Sequence, residues 1–112
     1  LGSVWVPGFM RQLDSAYEAF ARHEERLQQL SLKPSEYISR QVRVTPYPTE
    51  PTDWVIEQAG NDIFMFSSDY PHLEGGRNPM GRFEKLTSHL NKTEQDKFYR
   101  KNFEKLMGSA FK

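Results

Sequence analysis

Asp69 is the residue of this chain best placed to do chemistry. It closes the run Ile63-Phe64-Met65-Phe66-Ser67-Ser68-Asp69, with Tyr70-Pro71-His72 directly behind it. Four apolar residues ended by turn residues suit a strand buried on both faces, as in a parallel sheet covered by helices. A carboxylate at the C-terminal mouth of such a strand is held rigidly and faces a shared cleft. There it can act as a metal ligand or a general base, or close the strand as an Asx-type turn. His72 can serve as ligand, proton shuttle or backbone-bonded loop residue. His23 and His89 read as solvated. Gly75-Gly76-Arg77-Asn78-Pro79 can cradle an anion through backbone amides and Arg77, or can simply be flexible loop. Ser67 and Ser68 lack the surroundings of a serine nucleophile. Trp5 and Trp54 read as core or interface anchors.

These residues need elements to position them. Phe9, Leu13, Ala16, Tyr17, Phe20, Leu27 and Leu30 fall at helical spacing over about 8–30, and their stripe reads as core. Pro34 breaks that pattern, with Ser35 and Glu36 opening a short turn of helix. Gln41-Val42-Arg43-Val44-Thr45 alternates as a strand until Pro46 and Pro48 stop it. Pro51-Thr52-Asp53 starts a short helix that Gly60 ends. Ile63 to Phe66 is the second strand, and 67–81 a long loop of the functional kind. Phe83, Leu86 and Leu90 mark another helix. Thr93-Glu94-Gln95-Asp96 opens the last, stopped near Gly108. Helices alternating with strands predict an α/β fold with parallel strands. Two strands alone leave edges and apolar faces that need neighbours.

Bulk composition narrows the function. With 112 residues the chain is one domain at most, and 15 basic against 15 acidic residues leave no field for nucleic acid. Cysteine is absent, which excludes disulfides and thiolate metal sites and makes the cytoplasm the default compartment. No apolar run approaches a membrane span. Aromatic content of 13% with mean hydropathy −0.77 marks a folded chain with a wet surface. The chain begins at Leu1 with the interior-like Val4-Trp5-Val6, and reads as an incomplete domain, 1–112, cut from something longer.

With Ser68-Asp69-Tyr70-Pro71-His72 in view, the chain resembles the C-terminal portion of the amidohydrolase-related family, the metal-dependent barrel hydrolases that include aminocarboxymuconate-semialdehyde decarboxylase. Val4-Trp5-Val6-Pro7 with Arg11, Leu13 and Asp14 looks like that family's segment after the sixth strand. Asn102-Phe103-Glu104-Lys105-Leu106-Met107-Gly108 is similar to its closing helix, although Phe103 stands where a small residue is usual. The resemblance implies the C-terminal part of a (β/α)8 TIM barrel, about two parallel strands with flanking helices. It implies a divalent metal, zinc first, and a small-molecule substrate that is hydrolysed or non-oxidatively decarboxylated. Asp69 is then the metal-site and catalytic carboxylate, while His72 and the loop bearing Arg77 rim the site. The family's metal histidines have no counterpart after Leu1, so the isolated piece is expected to be inactive and to bind metal weakly. The rival expectation is a non-catalytic oligomerisation module, a homo-oligomer in which Asp69 only caps a strand.

Overall fold

The computed structural model describes residues 1–111. Helix α1 (Trp5–Phe20) begins three residues before the sequence pattern suggested. Pro7 fits its first turn, where no intrahelical N–H bond is lost. No side chain of α1 caps its own start. Instead the Glu50 carboxylate reaches across to the amides of Ser3 at 2.9 Å and Val4 at 3.3 Å, and also takes the Tyr47 amide at 2.7 Å. Negative charge at that end suits the helix dipole. After α1 come α2 (Glu25–Gln28) and α3 (Pro34–Gln41). Glu36 accepts the Lys33 amide, and Asp14 of α1 accepts that of Ser35, so α3 starts firmly. It then runs through Gln41, the first residue of the expected strand.

Helix α4 (Thr52–Ala59) has the bounds its start and stop residues promise, ending at Gly60 with φ 93°. Next come α5 (Pro79–Thr87), capped by Asn78, and α6 (Lys92–Asp96). At the start of α6, Asn91 and Glu94 exchange side-chain bonds with each other's amides. Helix α6 continues through a π-helical turn, Lys97–Lys101, into α7 (Asn102–Met107).

The expected α/β class is overturned. The described chain is 61% helix and 2% strand with no sheet, and it does not form part of a (β/α)8 barrel. The two expected strands meet in one isolated parallel bridge, Val44 with Phe64. Val44 donates to the Ile63 carbonyl and accepts from the Met65 amide, both at 2.9 Å. The ladder ends there for local reasons. Pro46 has no N–H to offer. The Arg43 guanidinium turns back to the carbonyls of Ser39 and Val42. Phe66 donates to the Phe98 carbonyl at 2.9 Å, so a helix takes the place of a neighbouring strand. The π turn makes that possible, because the Asn102 amide reaches past Phe98 to Lys97 and leaves the Phe98 oxygen free.

The core gathers Val6 and Met10 of α1, Val55, Ile56 and Ala59 of α4, Ile63, Phe64, Phe83, Leu90 and Phe98. No residue of the expected stripe is in it, and α1 contributes Val6 and Met10 instead. Leu13 and Tyr17 are half-buried, whereas Phe9 and Phe20 are exposed, against the expectation that the whole stripe is core. Trp5 and Trp54, 40% and 44% exposed, also stand outside the core.

Candidate functional site

The buried pair Ile63 and Phe64 anchors the segment that ends in Asp69. Asn102, itself buried, donates through Nδ2 to the carbonyls of Asn61 at 2.8 Å and Phe64 at 2.9 Å. The segment is therefore fixed at Val44, at Phe98 and at Asn102. Beyond it the serines shape the turn, since Ser67 Oγ accepts the Asp69 amide and Ser68 Oγ accepts the Tyr70 amide. Asp69 takes φ 54°, a left-handed conformation that Asp tolerates better than most residues. Its carbonyl accepts the His72 amide at 2.8 Å. Gly75 lies against the Ser68 carbonyl where a Cβ would collide, which explains one of the two loop glycines.

The Asp69 carboxylate accepts no hydrogen bond among the described residues, so the turn is closed without it. His72 Nδ1 stands 3.6 Å from it, beyond hydrogen-bond range. Donor atoms of Asp69, His72 and Glu74 lie within 4.8 Å of one another. Ligands of a tetrahedral zinc at ~2.1 Å stand only about 3.4 Å apart. The Asp/His/Glu donor set suits zinc chemically, but it is more open than a formed site, and His72 and Glu74 are exposed. Asp69 is the donor the fold holds in place.

Asp69 also borders a cavity of about 280 Å³ with Trp5, Arg43, Thr45 and Tyr47. His72 and Arg77 line a different recess, about 350 Å³, together with Tyr70, Pro71 and Leu73. The three residues expected to share one site are thus divided between two hollows, with only the Asp69–His72 approach linking them. The amides of Gly75 and Gly76 are spent on the His72 and Leu73 carbonyls, so those two are not free to hold an anion beside Arg77. His89 sits beside Asp53 at 3.4 Å and Glu57 at 3.7 Å, pairings that sequence spacing does not reveal.

A further hollow, about 750 Å³, holds none of these residues. It lies between Asp62 and the last helical segment, and its charges are mostly spent on one another. Lys97 Nζ reaches Asn61 and Asp62, both at 2.9 Å, and Lys101 reaches Asp96. The hydrogen bond from Lys97 holds the Asp62 carboxyl below its usual range. A carboxyl depressed in the folded state adds stability above its unfolded pKa and loses it as pH falls through the folded value. Asp62→Asn should therefore destabilise the chain near pH ~6 and make little difference near pH ~2. Urea unfolding at both values checks this, and an equal loss at both contradicts it.

Comparison with models of known families, with curated proteins and with solved structures finds no match for this chain. Among the described residues no helix is long and apolar enough to cross a membrane.

Proposed function

We propose that this chain supplies the Asp69 carboxylate to the divalent-metal centre of an amidohydrolase-type enzyme. That enzyme hydrolyses or non-oxidatively decarboxylates a small carboxylated or cyclic substrate. The reading rests on the Ser68-Asp69-Tyr70-Pro71-His72 motif. The observation that carries it further is the idle Asp69 carboxylate on a firmly anchored backbone, bordering a cavity. A strand-end cap would spend its oxygens on backbone amides, and here serine hydroxyls do that work instead. The absence of cysteine suits a reducing compartment, and we place the protein in the cytoplasm.

A divalent ion, zinc first, would supply Lewis-acid polarisation at this point. Asp69 would hold it, with His72 and Glu74 near enough to join after side-chain rotation. With its second oxygen, Asp69 can accept a proton from a water or substrate seated in the cavity. Trp5 keeps its indole N–H on the Gly2 carbonyl at 2.9 Å, so its ring serves as an apolar wall of that cavity. Tyr47 and Thr45 add hydroxyls to the same lining.

Asp69→Asn tests the role with the least disturbance, because Asn tolerates the left-handed backbone better than Ala does. In the metal-loaded enzyme that contains this chain, turnover should fall by about 100-fold or more. Circular dichroism and the melting temperature should stay unchanged. Turnover at the unaltered rate rejects the role.

A further inference from the structure

Among the described residues, Arg43 alone keeps a buried side-chain nitrogen unbonded. Only one of its three guanidinium nitrogens is spent, Nη1, on the carbonyls of Ser39 at 3.0 Å and Val42 at 2.7 Å. Nε is closed to solvent and has no partner. Nη2 makes no hydrogen bond among the described residues, and no carboxylate among them pairs with the cation. Buried donors in folded chains are nearly always satisfied, and water does not reach this one. Such an orphan calls for an acceptor from outside the chain.

The unused edge has a definite shape. Nε–H and the neighbouring Nη2–H run parallel along the side of the guanidinium that faces away from Nη1. Two parallel charged donors match the two oxygens of a carboxylate. Arg43 shares a cavity of about 280 Å³ with Trp5, Thr45, Tyr47 and Asp69. That is room for roughly nine waters at ~30 Å³ each, and so for one ring bearing one acid group. Trp5 offers such a ring an apolar wall. Asp69 repels an acid group from its own end of the cavity and leaves the Arg43 end to it. A single cation facing that carboxylate suits a singly charged acid better than a phosphate, which carries a charge of about −2.

We propose that Arg43 is the substrate-binding residue of the Asp69 cavity, taking the carboxylate of a small single-ring acid on its Nε–Nη2 edge. Engaging Nε takes a small shift of the cavity lining. The ring then lies along Trp5, and its remaining substituents turn toward Asp69. Naming the acid a substrate rests on the metal-site reading of Asp69, whereas the binding itself needs no metal.

Benzoate titrated into the metal-free full chain tests this, read by NMR at the Arg43 Nε–H resonance. That resonance should move and exchange more slowly with water, and the Trp5 ring signals should shift with it. Benzamide, nearly the same shape without the charge, should leave Nε–H unmoved. Arg43→Lys keeps the charge but not the fork, and should weaken benzoate binding by about tenfold or more. If that variant does not hold its circular dichroism, the Nε–H signal of the unaltered chain decides alone. An Nε–H signal unmoved at tens of millimolar benzoate overturns the proposal. So does benzamide acting equally, inorganic phosphate binding more tightly than benzoate, or a folded Arg43→Lys binding benzoate undiminished. Each of these results strikes Arg43 and leaves the Asp69 role standing, whereas loss of the metal role leaves benzoate binding in place.

Discussion

Phe98→Ala is expected to destabilise the chain by about 3–5 kcal/mol. Phe98 is almost completely buried at the π turn. Its ring meets Phe83 at 5.3 Å, Tyr99 at 4.9 Å and Phe66 at 6.5 Å. Truncation removes the transfer energy of the ring and opens a hole bounded by three other rings, which cannot all move inward together. The same residue's carbonyl holds the Phe66 amide, so loosening the turn also loosens the backbone leading to Asp69. A domain of this size has about 5–15 kcal/mol to lose, so the alanine variant stands near the limit of folding. Phe98→Leu keeps most of the volume and should cost less than about half as much. Urea unfolding of both variants gives the comparison. A loss below about 1 kcal/mol for Phe98→Ala would contradict the packing described.

Asn102→Ala should cost about 2–4 kcal/mol, because it leaves the Asn61 and Phe64 carbonyls without their donor in a buried place. Asn102→Asp is the sharper variant. Its shape is nearly the same, but a carboxylate brings lone pairs against two carbonyl oxygens where donors are needed. The aspartate variant should therefore be at least as unstable as the alanine variant near neutral pH. An aspartate variant as stable as the unaltered protein would show that the amide bonds do not matter. Hydrogen exchange adds a local reading, with Met65 and Phe66 losing protection ahead of α4.

What the sequence discloses is mainly local. Pro51-Thr52-Asp53 and Gly60 mark the two ends of α4, since capping and backbone freedom are decided within a few residues. Gly108 marks the end of α7 for the same reason, taking φ 53°. The apolar stripe of α1 gives the side that prefers to leave water, but not whether anything covers it, and Phe9 and Phe20 remain outside. The two β-like runs do come together in parallel, yet one bridge is all they form. A strand becomes a sheet only with neighbours, and Phe98 supplied from a helix what a third strand would have supplied.

The missed residues act at long range. Glu50 caps a helix that begins 45 residues earlier at Trp5, and Asn102 holds the segment around Phe64. An N-terminus without its own side-chain cap, and an asparagine among the apolar positions of the last helical segment, were the available signals. At the candidate site the motif pointed to Asp69, whose carboxylate accepts no hydrogen bond among the described residues. The motif could not reveal that His72 and Arg77 face a separate recess, because the direction of a loop depends on its packing.

Whether Asp69 is a metal-site carboxylate is tested most directly by cobalt(II), a paramagnetic substitute for zinc with nitrogen and oxygen donors. The measurement is a titration of the chain with cobalt, read by amide NMR. Weak binding still broadens the resonances of residues around the ion. Broadening centred on 68–74 is predicted, with loss of the effect in Asp69→Asn while the rest of the spectrum is unchanged. Broadening that persists undiminished in Asp69→Asn, or that centres elsewhere on the chain, would contradict the assignment.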